Sequence, residues 1–132
     1  MKCSYCGDYA DTRDHVIPIS KYRTSRKGIS FKDTIPACRE CNSTLGNKAI
    51  YLISSRADYL SKVYIKKYSH ILHQPQWSEE ELNTLTGRLK ESVSAASDYK
   101  KEMENRLIHL NNLINLEIET IEDFKKLFED YW

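Results

Sequence analysis

Two Cys-x-x-Cys knuckles, Cys3/Cys6 and Cys38/Cys41, take up every cysteine of the chain and set the strongest limit on how it can fold. Two thiolates three positions apart grip one metal from a tight turn, and two such knuckles supply the four tetrahedral ligands of a closed structural zinc site. Two disulfides are the competing reading. They need an oxidising compartment, and the chain opens Met1-Lys2-Cys3 with no apolar leader, so the reading is one structural zinc on Cys3, Cys6, Cys38 and Cys41. The stretch of 31 residues between the knuckles is longer than a compact zinc ribbon requires. Something is built there.

Thr12-Arg13-Asp14-His15-Val16-Ile17-Pro18 reads as a short strand ended by proline, and Asp33-Thr34-Ile35-Pro36-Ala37 as a second one. After Cys41, the run Asn42-Ser43-Thr44 opens a short helix that carries Asn42 back towards Asp14 and His15. A strand-loop-strand-helix finger of this size has little apolar surface of its own. Zinc binding, of the order of 10–16 kcal/mol in zinc-finger peptides, supplies the missing stability.

The net charge of +1 hides an asymmetry. Residues 1–50 carry nine Lys/Arg against five Asp/Glu, residues 51–77 four against one, and residues 78–132 seven against thirteen. The acidic end reads as solvated helix faces. The basic loop between the knuckles, with Lys21, Arg23, Arg26, Lys27 and Lys32, and Arg39 within the second knuckle, reads as a surface that meets the phosphates of a nucleic acid. No window approaches the roughly 18 uninterrupted apolar residues of a membrane span, so a soluble, cytoplasmic protein is expected.

At these residues the chain resembles the HNH (His-Asn-His) endonucleases of the ββα-metal superfamily. The likeness runs from residue 1 to about residue 50 and is carried by Cys-x-x-Cys, Asp14-His15-Val16-Ile17-Pro18, and Cys38-x-x-Cys41-Asn42 with Gly46. The resemblance implies that His15 is the general base, and that Asp14 and Asn42 hold one divalent ion, Mg²⁺ or Mn²⁺. The assignment is also chemically apt. A neutral imidazole accepts a proton at pH 7, and hard oxygen ligands suit a hard cation that stabilises charge on a scissile phosphate. Two positions depart from the family pattern. Its middle asparagine falls on Asp33, which becomes a support residue at best, and the lysine often found before the glycine is Leu45, leaving Lys48 as the nearby phosphate-binding candidate.

The remainder reads as helix. Ser55-Arg56-Ala57-Asp58 offers a start, with Tyr59, Leu60, Val63, Tyr64, Ile71 and Leu72 as an apolar stripe and Arg56, Lys62, Lys66 and Lys67 as a basic side. Ser78 with Glu81 forms a capping box, flanked by a Trp77–Leu82 staple. From there Leu82, Leu85, Leu89, Ala96, Tyr99, Met103, Leu107, Leu110 and Ile114 recur near heptad spacing, which predicts a helix reaching about Leu116. Unbroken, it spans roughly 60 Å and must fold back as a hairpin or pair with a second chain, so a homodimer through the C-terminal helices is expected. Thr120 caps a short final helix.

The expected fold is α+β: a zinc-braced ββα-metal finger (1–50), a basic and aromatic helix with its connector (51–77), and a long helical region (78–132). The expected activity is metal-dependent DNA hydrolysis, and the resemblance suggests a phage-type nuclease acting in a bacterial cytoplasm. Two alternatives stay open: a Holliday-junction resolvase of the endonuclease VII type, and a non-catalytic zinc module that binds nucleic acid.

Overall fold

The computed structural model describes residues 1–15, 34–50 and 52–115. Lys21, Arg23, Arg26, Lys27, Lys32 and Asp33, the proline end of the first expected strand, and the helix expected from Thr120 lie outside them. The described chain is α+β, as its sequence predicts. Strand β1 (Thr12–His15) pairs antiparallel with β2 (Thr34–Ala37), setting Thr12 against Ala37 and Asp14 against Ile35. Side chains alternate along a strand, so Asp14 turns inward and is buried while Arg13 and His15 stay half-buried. The first knuckle is tied to this ribbon through Ser4 N–H, which donates to the Pro36 carbonyl at 2.9 Å. Proline is tolerated in β2 because, among the described residues, the ribbon has two strands and each is an edge.

Helix α1 (Arg39–Leu45) starts earlier than the expected opening at Asn42. Cys38 is its N-cap, and the thiol accepts a hydrogen bond from Cys41 N–H at 3.4 Å, so the second knuckle doubles as the helix start. Gly46 ends it at φ +48°, a left-handed conformation that a side chain would strain.

Helix α2 (Ile53–Lys67) buries Ile53, Arg56, Ala57, Leu60 and Tyr64, a single stripe at helical spacing. It begins two residues before the expected Ser55. A larger correction concerns Arg56, expected on the basic side with Lys62, Lys66 and Lys67: it is 0% exposed. Arg56 follows Ile53 by three positions and precedes Leu60 by four, so it lies on the inward face, and charge pairing decides what it does there.

After the short α3 (Ser69–Leu72), Ser78 caps α4 (Glu79–Asn83) with the capping-box contacts the sequence predicts: its hydroxyl accepts from Glu81 N–H at 3.1 Å and donates to Glu81 Oε1 at 3.2 Å. The single helix expected from this cap to about residue 116 is interrupted. Thr84 Oγ1 donates to the Glu81 carbonyl, the chain turns through Leu85 and Thr86, and α5 (Gly87–Ile114) begins afresh at Gly87 with φ +62°. A serine or threonine hydroxyl that takes up backbone acceptors in this way competes with helix propagation.

Helix α5 lies along α2 and turns Met103, Arg106, Leu110 and Leu113 inward. Of the residues in the expected heptad pattern, Met103 and Leu110 are thereby buried within the chain. One core cluster joins Cys3, Tyr5, Cys6, Ile35, Cys38, Cys41 and Leu45 of the finger to Ala57, Leu60 and Tyr64 of α2 and to Leu110 and Leu113 of α5. The finger is thus roofed by helices that its own sequence does not contain. No helix among the described residues is long and apolar enough to cross a membrane.

Candidate metal centre and active site

The four cysteine Sγ atoms lie within 4.8 Å of one another, and all four side chains are buried. None is in a disulfide. Cys6 Sγ and Cys38 Sγ are 3.7 Å apart. A tetrahedron with Zn–S bonds of about 2.3 Å has sulfur edges of about 3.8 Å, so the arrangement fits zinc and is too wide for S–S bonding. Mutual hydrogen bonding splits the thiols into two classes. Contact with Cys3 holds Cys6 and Cys38 below the ordinary thiol value, whereas contact with Cys38 raises Cys3, contact with Cys3 raises Cys41, and burial adds to both. Four thiols in one buried cage cannot all ionise without a cation, and a soft four-sulfur donor set is the one zinc takes.

Groups from the helices surround these sulfurs. Tyr64 Oη donates to Cys41 Sγ at 3.0 Å. Arg106 lies 2.7 Å from Glu40 Oε1 through Nη2, sits 4.7 Å over the Tyr64 ring, and keeps a buried Nε that has no hydrogen-bond partner among the described residues. Burial works against the Arg106 charge, but Cys6 and Glu40 outweigh it and hold the guanidinium above its ordinary value. Four thiolates around one Zn²⁺ leave a net double negative charge, and Arg106 is the buried cation placed to offset it. Gly7 closes the first knuckle at φ +79°, and a Cβ there would meet His109 Nε2 at 2.6 Å. The knuckle therefore seats directly on α5.

β1 and α1 also meet. Asn42 Nδ2 donates to the Arg13 carbonyl and to Thr12 Oγ1, both at 3.2 Å. That pins the Asn42 amide against the strand carrying Asp14 and His15, with the amide nitrogen spent on the protein and the amide oxygen as the end a hard cation would use. His15 is half-buried on the outer face of β1. Asp14 is 2% exposed, and its Oδ2 accepts from Tyr5 Oη at 2.5 Å and from Arg56 Nη2 at 2.6 Å.

The helix-borne asparagine, the Asp-His strand and the four-cysteine cage form one continuous unit. Residues 3–48 match the family model of the HNH endonucleases. The match covers the finger and stops before α2. No curated protein and no solved structure matches the chain.

Within the matched segment, Arg39 is exposed and paired with Asp11 at 3.2 Å, and Lys48 is exposed with its ammonium 5.3 Å from the centroid of the Tyr59 ring. Both lie on the surface, where a phosphate can reach them. Sequence reasoning missed Tyr5, Arg56, Tyr64 and Arg106. Helical spacing carried a signal for two of them: Arg56 falls in the Ile53–Leu60 stripe, and Arg106 in the Met103–Leu110 stripe. A charged residue on an apolar stripe is a candidate for a buried ion pair.

Proposed function

We propose that this chain is a metal-dependent endonuclease that hydrolyses phosphodiester bonds in DNA, with His15 as general base and with Asp14 and Asn42 as the protein ligands of one Mg²⁺ or Mn²⁺ ion. The observation that carries the reading is the docking of Asn42 on β1 beside Asp14-His15, inside the segment that matches the HNH endonucleases. The donor set is hard oxygen, which fits a hard divalent cation and contrasts with the sulfur cage a short distance along the same finger. When bound, such an ion supplies Lewis-acid stabilisation of charge on the phosphate and the leaving oxygen. The chain's own residues do the rest. His15, half-buried on the open face of β1, takes the proton from the attacking water. Asn42 orients its amide through the Arg13 carbonyl and keeps α1 against the strand. Lys48, Arg39 and the basic loop, with Lys21, Arg23, Arg26, Lys27 and Lys32, hold the phosphate backbone.

The division into a nuclease unit (1–50), a basic connector helix (51–77) and a helical region (78–132) belongs to this proposal, with Asp33 as a supporting residue. So do dimerisation through the C-terminal helices, a cytoplasmic setting and a phage-type origin. The deciding experiment is His15→Ala assayed on supercoiled and linear DNA with Mg²⁺ or Mn²⁺. Hydrolysis should fall by roughly 10²–10⁴-fold, the usual scale for loss of a general base, while zinc content and DNA affinity persist. A folded His15→Ala protein that cuts at the original rate refutes the assignment.

A further inference from the structure

Arg56 lies outside the HNH segment, on α2, yet its guanidinium is spent on the finger. Nη2 reaches Asp14 Oδ2 at 2.6 Å, Nε donates to Tyr5 Oη at 2.9 Å, and Nη1 donates to the Ile50 carbonyl at 2.5 Å. The side chains of Arg56 and Asp14 are 0% and 3% exposed. Tyr5 is itself fully buried, and its hydroxyl donates to the same Asp14 oxygen. Among the described residues, every contact of the Asp14 carboxylate therefore falls on Oδ2.

From this asymmetry we infer that Arg56 and Tyr5 are positioning residues for the divalent-ion site: by gripping Asp14 Oδ2 from behind, they fix the carboxylate rotamer and leave Oδ1 as the oxygen that faces a cation. The inference rests on the reading of Asp14 as an ion ligand and adds to it a requirement on α2. A ligating carboxylate is oriented by the groups that hydrogen-bond its other oxygen, and such partners typically matter to metal affinity by 10–100-fold. Two donors on one oxygen, both rigidly buried, are a stronger restraint than a single surface contact. The guanidinium supplies counter-charge as well as direction. Without it the buried carboxylate loses both.

A merely structural ion pair makes a different prediction, because it acts on folding and leaves the ion's affinity alone. The test is Mn²⁺ binding to the zinc-loaded full chain, measured by calorimetry and by the electron paramagnetic resonance of free Mn²⁺, beside the Mn²⁺ concentration at half-maximal DNA cleavage. Arg56→Lys keeps a cation in the stripe but not the fork, and Tyr5→Phe removes one hydroxyl from an otherwise intact ring. Each should weaken Mn²⁺ binding about 10-fold or more and shift the cleavage midpoint in parallel, with activity largely restored at saturating Mn²⁺. In an Asp14→Asn background, adding Arg56→Lys should cost nothing further.

If Arg56→Lys does not fold, Tyr5→Phe decides alone. Zinc-loaded, folded Arg56→Lys or Tyr5→Phe protein with unaltered or tighter Mn²⁺ binding overturns the positioning role, provided Asp14→Ala still weakens it. Unaltered Mn²⁺ binding in Asp14→Ala overturns the ligand reading, and the positioning role falls with it.

Discussion

The zinc side of the finger and the Asp14 side meet the same problem, a buried anion, and handle it differently. At the zinc side, the negative charge of the thiolates and of Glu40 is spread over Tyr64, Arg106, Lys67 and Tyr68, drawn from α2, α5 and the turn after α2. At the Asp14 side one carboxylate faces one guanidinium and one phenol, all of them buried. Shared compensation tolerates the loss of any one member. A buried carboxylate that meets a single cation among the described residues does not, because removing that cation leaves an uncompensated charge in the core. The two arginines also tie α2 and α5, which lie outside the matched segment, to the core they share with the finger, since each sets its charge against the finger's anions.

The largest break in the comparison is removal of zinc itself. Both sides hang on the knuckles, since Ser4 within the first knuckle holds β2 and Cys38 caps α1, which carries Asn42. Chelation, or Cys38→Ser, should forfeit binding energy on the order of 10–16 kcal/mol and unfold the finger outright. Elemental analysis should give one zinc per folded chain. Circular dichroism on adding chelator should show loss of structure that readdition of zinc restores. Metal-free protein that keeps the native spectrum would show that the helices, rather than the cage, hold the two sides together.

A second break separates the first knuckle from α5. At Gly7 an alanine must adopt φ +79° and push its Cβ into the His109 ring, so Gly7→Ala should cost about 2–4 kcal/mol, combining backbone strain with overpacking. Denaturant midpoints should place Gly7→Ala/His109→Ala above Gly7→Ala alone, since the second change removes the clash but not the strain. Equal midpoints would mean that the steric contact is already relieved.

What the sequence made legible follows from how local each signal is. The paired cysteine spacing, the Asp14-His15 strand and the Ser78–Glu81 capping box are local patterns, and the cage, β1 and the start of α4 formed where those patterns put them. The error at Arg56 has the opposite origin. Charge alone sent it to the solvent side with Lys62 and Lys66, although its phase in the helix put it inward, and only a partner 42 positions away could decide between the two. The break between α4 and α5 was equally illegible from hydrophobic period, because Leu82, Leu85 and Leu89 keep their spacing straight through it. The backbone at Thr84 and Gly87 overrides that period. Asp33 and the basic loop lie outside the described residues, so their roles rest on the sequence.

A third and smaller break tests the sharing of charge around Glu40. Burial raises its pKa, but hydrogen bonds from Lys67, Tyr68 and Arg106 outweigh that, and the net displacement is downward. A carboxyl group lowered in the folded state contributes stability that is complete above its unfolded value and is lost as pH falls through the lower, folded value. Glu40→Gln should therefore cost on the order of 1–2 kcal/mol at neutral pH, the range for hydrogen bonds to a charged group discounted for the partial exposure of the carboxylate to solvent. The gap between the variant and the parent should close on acidification below the ordinary value of 4.5. Thermal melts at several pH values check this, and a gap that widens in acid would reverse the sign of the assignment.

The smallest expected effect is the sharpest test of redundancy. Tyr64→Phe keeps the ring under Arg106 and its packing in the core, and removes only the hydroxyl that donates to Cys41 Sγ. If charge at the zinc side is shared, the loss should stay near that of a single hydrogen bond, about 0.5–1.5 kcal/mol, with the protein folded and zinc-loaded. Zinc release to a chromogenic chelator should still quicken, since a thiolate that has lost a hydrogen-bond donor is more basic and more readily protonated away from the metal. Among the described residues, the corresponding hydroxyl at the other side, on Tyr5, shares Asp14 Oδ2 with one guanidinium, so Tyr5→Phe should cost more than Tyr64→Phe in parallel melts. Equal costs would mean that the Asp14 pair is as well buffered as the zinc cage, and the contrast between the two sides would then lie in geometry and not in how their charge is compensated.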